Sequence, residues 1–383
     1  SVMSRYEKPE WKANKIGIDD NVPSPWTPLK LSGNKIACWN RVYDFDKSGL
    51  PMHITAGSNE LLSAPVVIDG AANGKRLRWK PVSSKVLSKA KSTVVLLNEQ
   101  QSESVKMSTK TTCDFDGMIR FDITLLPKNS GIKFDKLALR IPINQDFATL
   151  HYNYAYTFGG GKGAVQPTNK DMIGKLDTPW SSDFTPGMWI GNYSTGIGWF
   201  AEGKKNWNQT IADKALQVIQ QGNSRVLQIN FMDSQTALNK PITFTFGMQA
   251  TPVKPFPRAK DWLTFRPVEM VGNRLFFCGW GGNERWEGFP TAGNHKAQPG
   301  DTNEFDDKPF IDSLKKLRER NLTLPVYLNP ATAVTDIPEL VYYRDQWKNT
   351  PEIITGTDTG QEIVLVCSAD KDWQDLYMNR LKE

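Results

Sequence analysis

Along Gly187–Trp207, GMWIGNYSTGIGWFAEGKKNW, apolar and small residues alternate on either side of the polar turn Tyr193-Ser194-Thr195. A period of two predicts a half-buried antiparallel strand pair, GMWIGN and GIGWFAE. Its glycines let large rings such as Trp189, Trp199 and Trp207 pack against bare backbone. The same period recurs upstream, predicting strands near 35–44, 51–56, 64–70, 92–99, 104–114, 118–126 and 133–143. Turn residues punctuate these runs: Asp46–Gly49 separates two of them, and Phe115-Asp116-Gly117 carries a strong hairpin signal. Downstream, Ala215–Gln220 and Arg225–Met232 form a hairpin across Gln221–Ser224, and a further strand starts at Ile242, with Pro252 and Pro255 ending its pairing. Many short strands at such spacing predict a large antiparallel sandwich over residues 1–257.

The pattern changes after Pro257. Continuous apolar runs at Arg274–Trp280, Leu322–Pro330 and Glu362–Asp370 read as buried strands. Between and after them, Phe310–Arg320, Pro338–Trp347 and Trp373–Glu383 read as helices. That alternation predicts a parallel α/β domain over 258–383, the start of a (β/α)8 barrel. A complete barrel takes about 250 residues, so the expectation is the opening part of one, from a longer protein. Residues 147–186 follow neither pattern. The run Phe158–Gly163, FGGGKG, lacks the spacing of a phosphate loop and reads as an inter-domain contact or a functional excursion.

Composition narrows the function classes. The chain of 383 residues has a net charge of +6 with basic and acidic residues interleaved, which argues against a nucleic-acid partner. No apolar run approaches the roughly 20 residues that span a bilayer. Four cysteines (Cys38, Cys113, Cys278, Cys367) and three histidines are scattered, so neither a metal nor another cofactor is expected. Cys278 and Cys367 lie in apolar runs and read as small buried hydrophobes. The thirteen tryptophans are the one excess. They serve either to stack on the apolar faces of sugars or to fill a sandwich core.

The motifs WTPLKL (Trp26–Leu31), WNRVYDF (Trp39–Phe45), GLPMHI (Gly49–Ile54), GIGWFAEGKKNW (Gly196–Trp207) and FGMQATPVKPFP (Phe246–Pro257) occur in one order. Together they resemble the N-terminal region of large bacterial glycoside-hydrolase-like proteins related to glycoside hydrolase family 123. The resemblance implies a β-sandwich followed by a catalytic (β/α)8 barrel, a polysaccharide or oligosaccharide partner, and a secreted, periplasmic or outer-surface location. It also implies exo-cleavage of β-linked N-acetylgalactosamine, in which the substrate's acetamido group attacks with help from an adjacent Asp-Glu pair. No Asp-Glu dipeptide occurs in this sequence, so the resemblance supplies no catalytic residue here and places that pair beyond Glu383.

In parallel α/β domains ligands bind beyond the carboxyl ends of strands. The first such end, Gly279–Pro290, offers Trp280, Asn283, Glu284, Trp286 and Glu287, aromatic platforms beside planar hydrogen-bonding groups. Asn329 and Asp370 stand at the next two strand ends. These seven are the candidate substrate-binding residues. Each has a plainer reading as a loop, turn or helix-capping residue, and Asp370 in particular is placed to cap the last helix. Among Glu284, Glu287 and Asp370 a self-sufficient acid–base pair is the alternative chemistry. A non-catalytic carbohydrate-binding module, with exposed coplanar tryptophans on the sandwich, is the alternative function, and a sandwich that only braces the barrel through Gly159–Gly163 is a third.

Overall fold

The computed structural model describes residues 7–154, 173–176, 179–256, 331–335, 338–349, 352–356 and 362–382, with positions 315 and 319 besides. They fall into two compact units, divided at Asp20 and again after Phe256.

The larger unit is built of antiparallel sheet. Strands β1 (Lys30–Ser32), β2 (Lys35–Cys38), β3 (Arg41–Phe45), β4 (Pro51–Ala56) and β5 (Asn59–Glu60) form a five-stranded meander in sequence order. The chain continues through β6 (Val67–Ala72), β7 (Lys75–Arg76), β8 (Lys80–Lys89), β9 (Thr93–Gln101), β10 (Val105–Asp114), β11 (Met118–Pro127) and β12 (Ile132–Asn144). After these come β13 (Leu150–Tyr154), β14 (Ile173–Lys175), β15 (Trp180–Ser182), β16 (Gly187–Gly191) and β17 (Gly196–Phe200). The last four are β18 (Leu216–Gln221), β19 (Ser224–Met232), β20 (Thr236–Leu238) and β21 (Ile242–Thr251). One sheet has nine strands in the order β14-β13-β16-β17-β21-β11-β10-β9-β8. The other runs β15-β18-β19-β12-β6-β7, with β20 also paired to β12.

Alternation dictates this sandwich. In β10, Val105, Met107, Thr109, Thr111 and Cys113 are buried while Lys106 and Lys110 point to water. In β12, Leu137, Leu139, Ile141 and Ile143 face inward after bulges near Phe134 and Leu137 reset the register. The sheets meet directly where Phe231 of β19 stacks on Phe244 of β21, ring centroids 4.5 Å apart. Each fully buried ring of this kind contributes on the order of 1.5–3 kcal/mol relative to exposure. The meander is tied to the nine-stranded sheet by a buried polar joint. The Tyr43 hydroxyl donates to the Gly117 carbonyl (2.8 Å) and accepts from the Ala250 amide (3.1 Å). Beside it the buried Arg41 guanidinium donates to the carbonyls of Trp39, Ala250 and Val253.

The central pair of strands, the two Gly-containing turns, the downstream hairpin and the strand from Ile242 form where the alternation predicts them. At 35–44 the single expected strand is two, β2 and β3, because Asn40 adopts φ 56° and turns the chain. The antiparallel sandwich is therefore present; the order of its strands is what the pattern did not carry.

The second unit comprises, among described residues, 7–19 together with β22 (Thr332–Val334), helix α1 (Pro338–Trp347), β23 (Ile354–Gly356), β24 (Glu362–Leu365) and helix α2 (Lys371–Lys382). Residues 7–19, expected with the sandwich, group here because Trp11 packs on Tyr343 and Trp347 at centroid distances of 5.7 and 6.1 Å. The three strands form a sheet in the order β22-β24-β23, both pairs antiparallel, where the alternation of strand and helix predicts parallel pairing. For β23 and β24 the reason is the connection: five residues separate them, and a parallel crossover takes a dozen or more. The strands expected at 274–280 and 322–330 lie outside the described residues, as do the glycine run at 158–163 and Cys278. Cys367, expected buried, is exposed, whereas Cys38 and Cys113 are buried in the sandwich.

Candidate functional site

Of the seven candidate residues, Trp280, Asn283, Glu284, Trp286, Glu287 and Asn329 lie outside the described residues. Asp370 is described, and it caps α2: its Oδ1 accepts the Trp373 amide at 3.0 Å and its carbonyl accepts the Gln374 amide. The Gln346 amide on α1 reaches both Asp370 carboxylate oxygens and, at 3.0 Å, that of Asp372. Lys12 pairs with Asp372 at 2.8 Å. Burial works to raise the Asp372 carboxyl, yet the Lys12 ammonium and the Gln346 amide prevail and hold it below its usual range. The arrangement joins three segments of the second unit and leaves Asp370 a capping residue with a satisfied carboxylate.

The sandwich carries a different kind of surface. On the nine-stranded sheet, Met188, Ile190, Ile197 and Trp199 point into the core, so Trp189 and Phe200 take the outer face. Glycines shape that face. A Cβ on Gly191 or Gly196, which pair directly across β16 and β17, would come within 2.2 and 2.6 Å of the Trp189 ring. One on Gly247 would come within 2.1 Å of the Phe200 ring. Both rings therefore lie over bare backbone, and the indole N–H donates to the Thr251 hydroxyl at 3.1 Å. Together with Tyr152, which pairs with Trp189 across β13 and β16, they line an open depression of about 470 Å³ bordered by Pro186 and Glu202.

A charged cluster adjoins this floor. Gly247 lies opposite Phe200 on one side and Arg120 on the other, and Asp122 lies opposite Thr245. Arg120 holds Asp122 through two nitrogens, the closer contact at 2.9 Å, and the Thr245 hydroxyl donates to the same carboxylate at 2.7 Å. Partial burial works to raise the Asp122 carboxyl, but these donors overcome it and hold it low. The Arg120 guanidinium is raised, chiefly by Asp122, with Glu202 adding to the effect. The face can therefore offer apolar ring surface, a carboxylate, a guanidinium and a hydroxyl side by side.

Of the ten tryptophans in described positions, Trp11, Trp199, Trp347 and Trp373 are buried and the other six half-buried, so no row of exposed indoles runs along the described sandwich. The sequence reading anticipated rings on glycine backbone but did not assign Trp189 and Phe200 to the face opposite Trp199. The signal was present in the two-residue offsets Gly187/Trp189/Gly191 and Gly196/Gly198/Phe200. Among the described residues no three His, Cys, Asp or Glu side chains gather as a metal site. No described helix is long and apolar enough to cross a membrane.

Comparison with known proteins is consistent with a carbohydrate-related origin at the level of sequence. The model of the domain described as glycoside hydrolase 123, third domain, matches residues 29–252. No curated protein matches the chain. Among solved structures, a GH36 α-galactosidase of Geobacillus stearothermophilus is 9% identical at a TM-score of 0.37, the match covering 94% of this chain and 63% of that one. A putative aldose 1-epimerase of Escherichia coli K12 is 9% identical at a TM-score of 0.33, over 59% of this chain and 98% of that one. A galactose 1-epimerase of Lactobacillus acidophilus NCFM is 6% identical at 0.32, over 60% and 99%. Likenesses this distant carry no chemistry to the present chain.

Proposed function

The chain belongs to glycoside hydrolase family 123, and we propose that it is a portion of a polysaccharide-degrading enzyme that removes β-linked N-acetylhexosamine. The observation that carries this reading is the family match over 29–252, which takes in nearly the whole sandwich. Reaction by the substrate's own acetamido group then needs an Asp-Glu pair, and this sequence has no such dipeptide. In this reading Trp280, Asn283, Glu284, Trp286, Glu287 and Asn329 contact the sugar, Asp370 fixes the end of α2, and the protein acts outside the cytoplasm.

The test is the natural gene product incubated with chromogenic β-N-acetylgalactosaminide, β-N-acetylglucosaminide and α-galactoside. The expected outcome is turnover of a β-N-acetylhexosaminide, with the galactosamine form preferred. Cleavage of the α-galactoside alone, or of none of the three, would sink the reading.

A further inference from the structure

We propose that the outer face of the nine-stranded sheet, floored by Trp189 and Phe200, is a binding subsite for a neutral glycan. The proposal rests on the carbohydrate reading above and adds a site to it. Sugars present an apolar C–H face and a rim of hydroxyls, and this surface supplies the complement of both. The rings lie over Gly191, Gly196 and Gly247, where any Cβ would lift them off the backbone, so they form a low platform rather than upright side chains. Trp189 is half-buried with its N–H engaged by Thr251, which fixes the ring without covering it.

Size and border favour a glycan over a protein. The depression of about 470 Å³ falls within the roughly 300–1,000 Å³ of small-ligand sites. A stable protein partner needs about 800 Å² from each side, with a broad apolar centre. Here the apolar floor gives way to Thr245 on the adjacent β21 and to Arg120 and Asp122 on β11 one strand further, with Glu202 two residues after Phe200. A carboxylate, a guanidinium and a hydroxyl at the edge of a ring platform suit sugar hydroxyls.

The test is calorimetric titration of this chain with methyl β-N-acetylgalactosaminide and with a β-linked N-acetylglucosamine trisaccharide, repeated on Trp189→Ala and Phe200→Ala. Phe200 is exposed and outside the core, so its variant reports even if Trp189→Ala fails to fold; circular dichroism checks both. The expected result is one site, weakened at least tenfold in Phe200→Ala. No heat with either sugar, or affinity unchanged in Phe200→Ala, would overturn the proposal. So would a wild-type dimer, detected by sedimentation, that Phe200→Ala dissociates without any sugar binding; the face would then belong to a second copy. Sugar binding here beside an inactive natural gene product keeps the subsite and sinks the hydrolase reading. Turnover by that product with unchanged titration in Phe200→Ala does the reverse.

Discussion

Tyr377, on the inner side of α2, shows how one buried group writes itself into the pH response. Its hydroxyl has no hydrogen-bond partner among the described residues, and burial pushes its phenol up to about 12. An unfolded tyrosine ionises near 10, so between about pH 10 and 12 the unfolded chain has lost a proton that the folded chain keeps. Stability from this residue is therefore flat below pH 10 and falls as pH rises through that window. Tyr377→Phe should flatten the alkaline fall in thermal midpoint and cost little at pH 7, because the lost hydroxyl satisfied nothing. Equal alkaline slopes in the two proteins would refute it. Such a residue is invisible in sequence, as is Arg41. Nothing in WNRVYDF distinguishes a guanidinium that is 1% exposed and spent on three carbonyls from one that faces water.

At the scale of elements, the paired glycines of β16 and β17 are the tightest constraint. A Cβ on Gly196 would lie 2.6 Å from the Ile190 carbonyl as well as from the Trp189 ring, and the backbone of a neighbouring strand cannot step aside. Gly196→Ala should cost about 1–3 kcal/mol, the range for overpacking a filled site, read by urea denaturation. Gly247→Ala should cost less, because the atoms nearest its added Cβ belong to the Phe200 side chain rather than to backbone; equal losses would contradict the assignment of the rings. Most of these strands were legible because each has one wet and one dry face. β8 was not: in KPVSSKVLSK no position is buried, so no alternation marks it as a strand. Its pairing with β9 and its place at the sheet edge come from tertiary context. The antiparallel setting of β24 was equally hidden, since a buried apolar strand reads the same in either direction. The outer-face rings were half legible, their glycines visible and their side of the sheet overlooked.

At the scale of the whole molecule, residues 7–19 belong to a unit whose other described residues begin at 315, so the chain leaves that unit and returns to it. The tie is specific. The Ala13 amide donates to the buried Asp375 carboxylate at 2.7 Å, Asn14 donates to the Asp375 carbonyl at 2.8 Å, and Lys371 pairs with the same carboxylate. Asp375→Ala strands that amide, a loss of about 1–3 kcal/mol, and should open residues 7–19 to limited proteolysis while the sandwich stays resistant. Unchanged protection of this segment would contradict the tie. The catalytic question also belongs to this scale. The most direct measurement is hydrolysis of chromogenic β-N-acetylgalactosaminide by this 383-residue chain beside the natural gene product. The account predicts turnover by the natural product and none by this chain, which has no Asp-Glu pair. Turnover by this chain alone would contradict it and would move the chemistry to Glu284, Glu287 and Asp370.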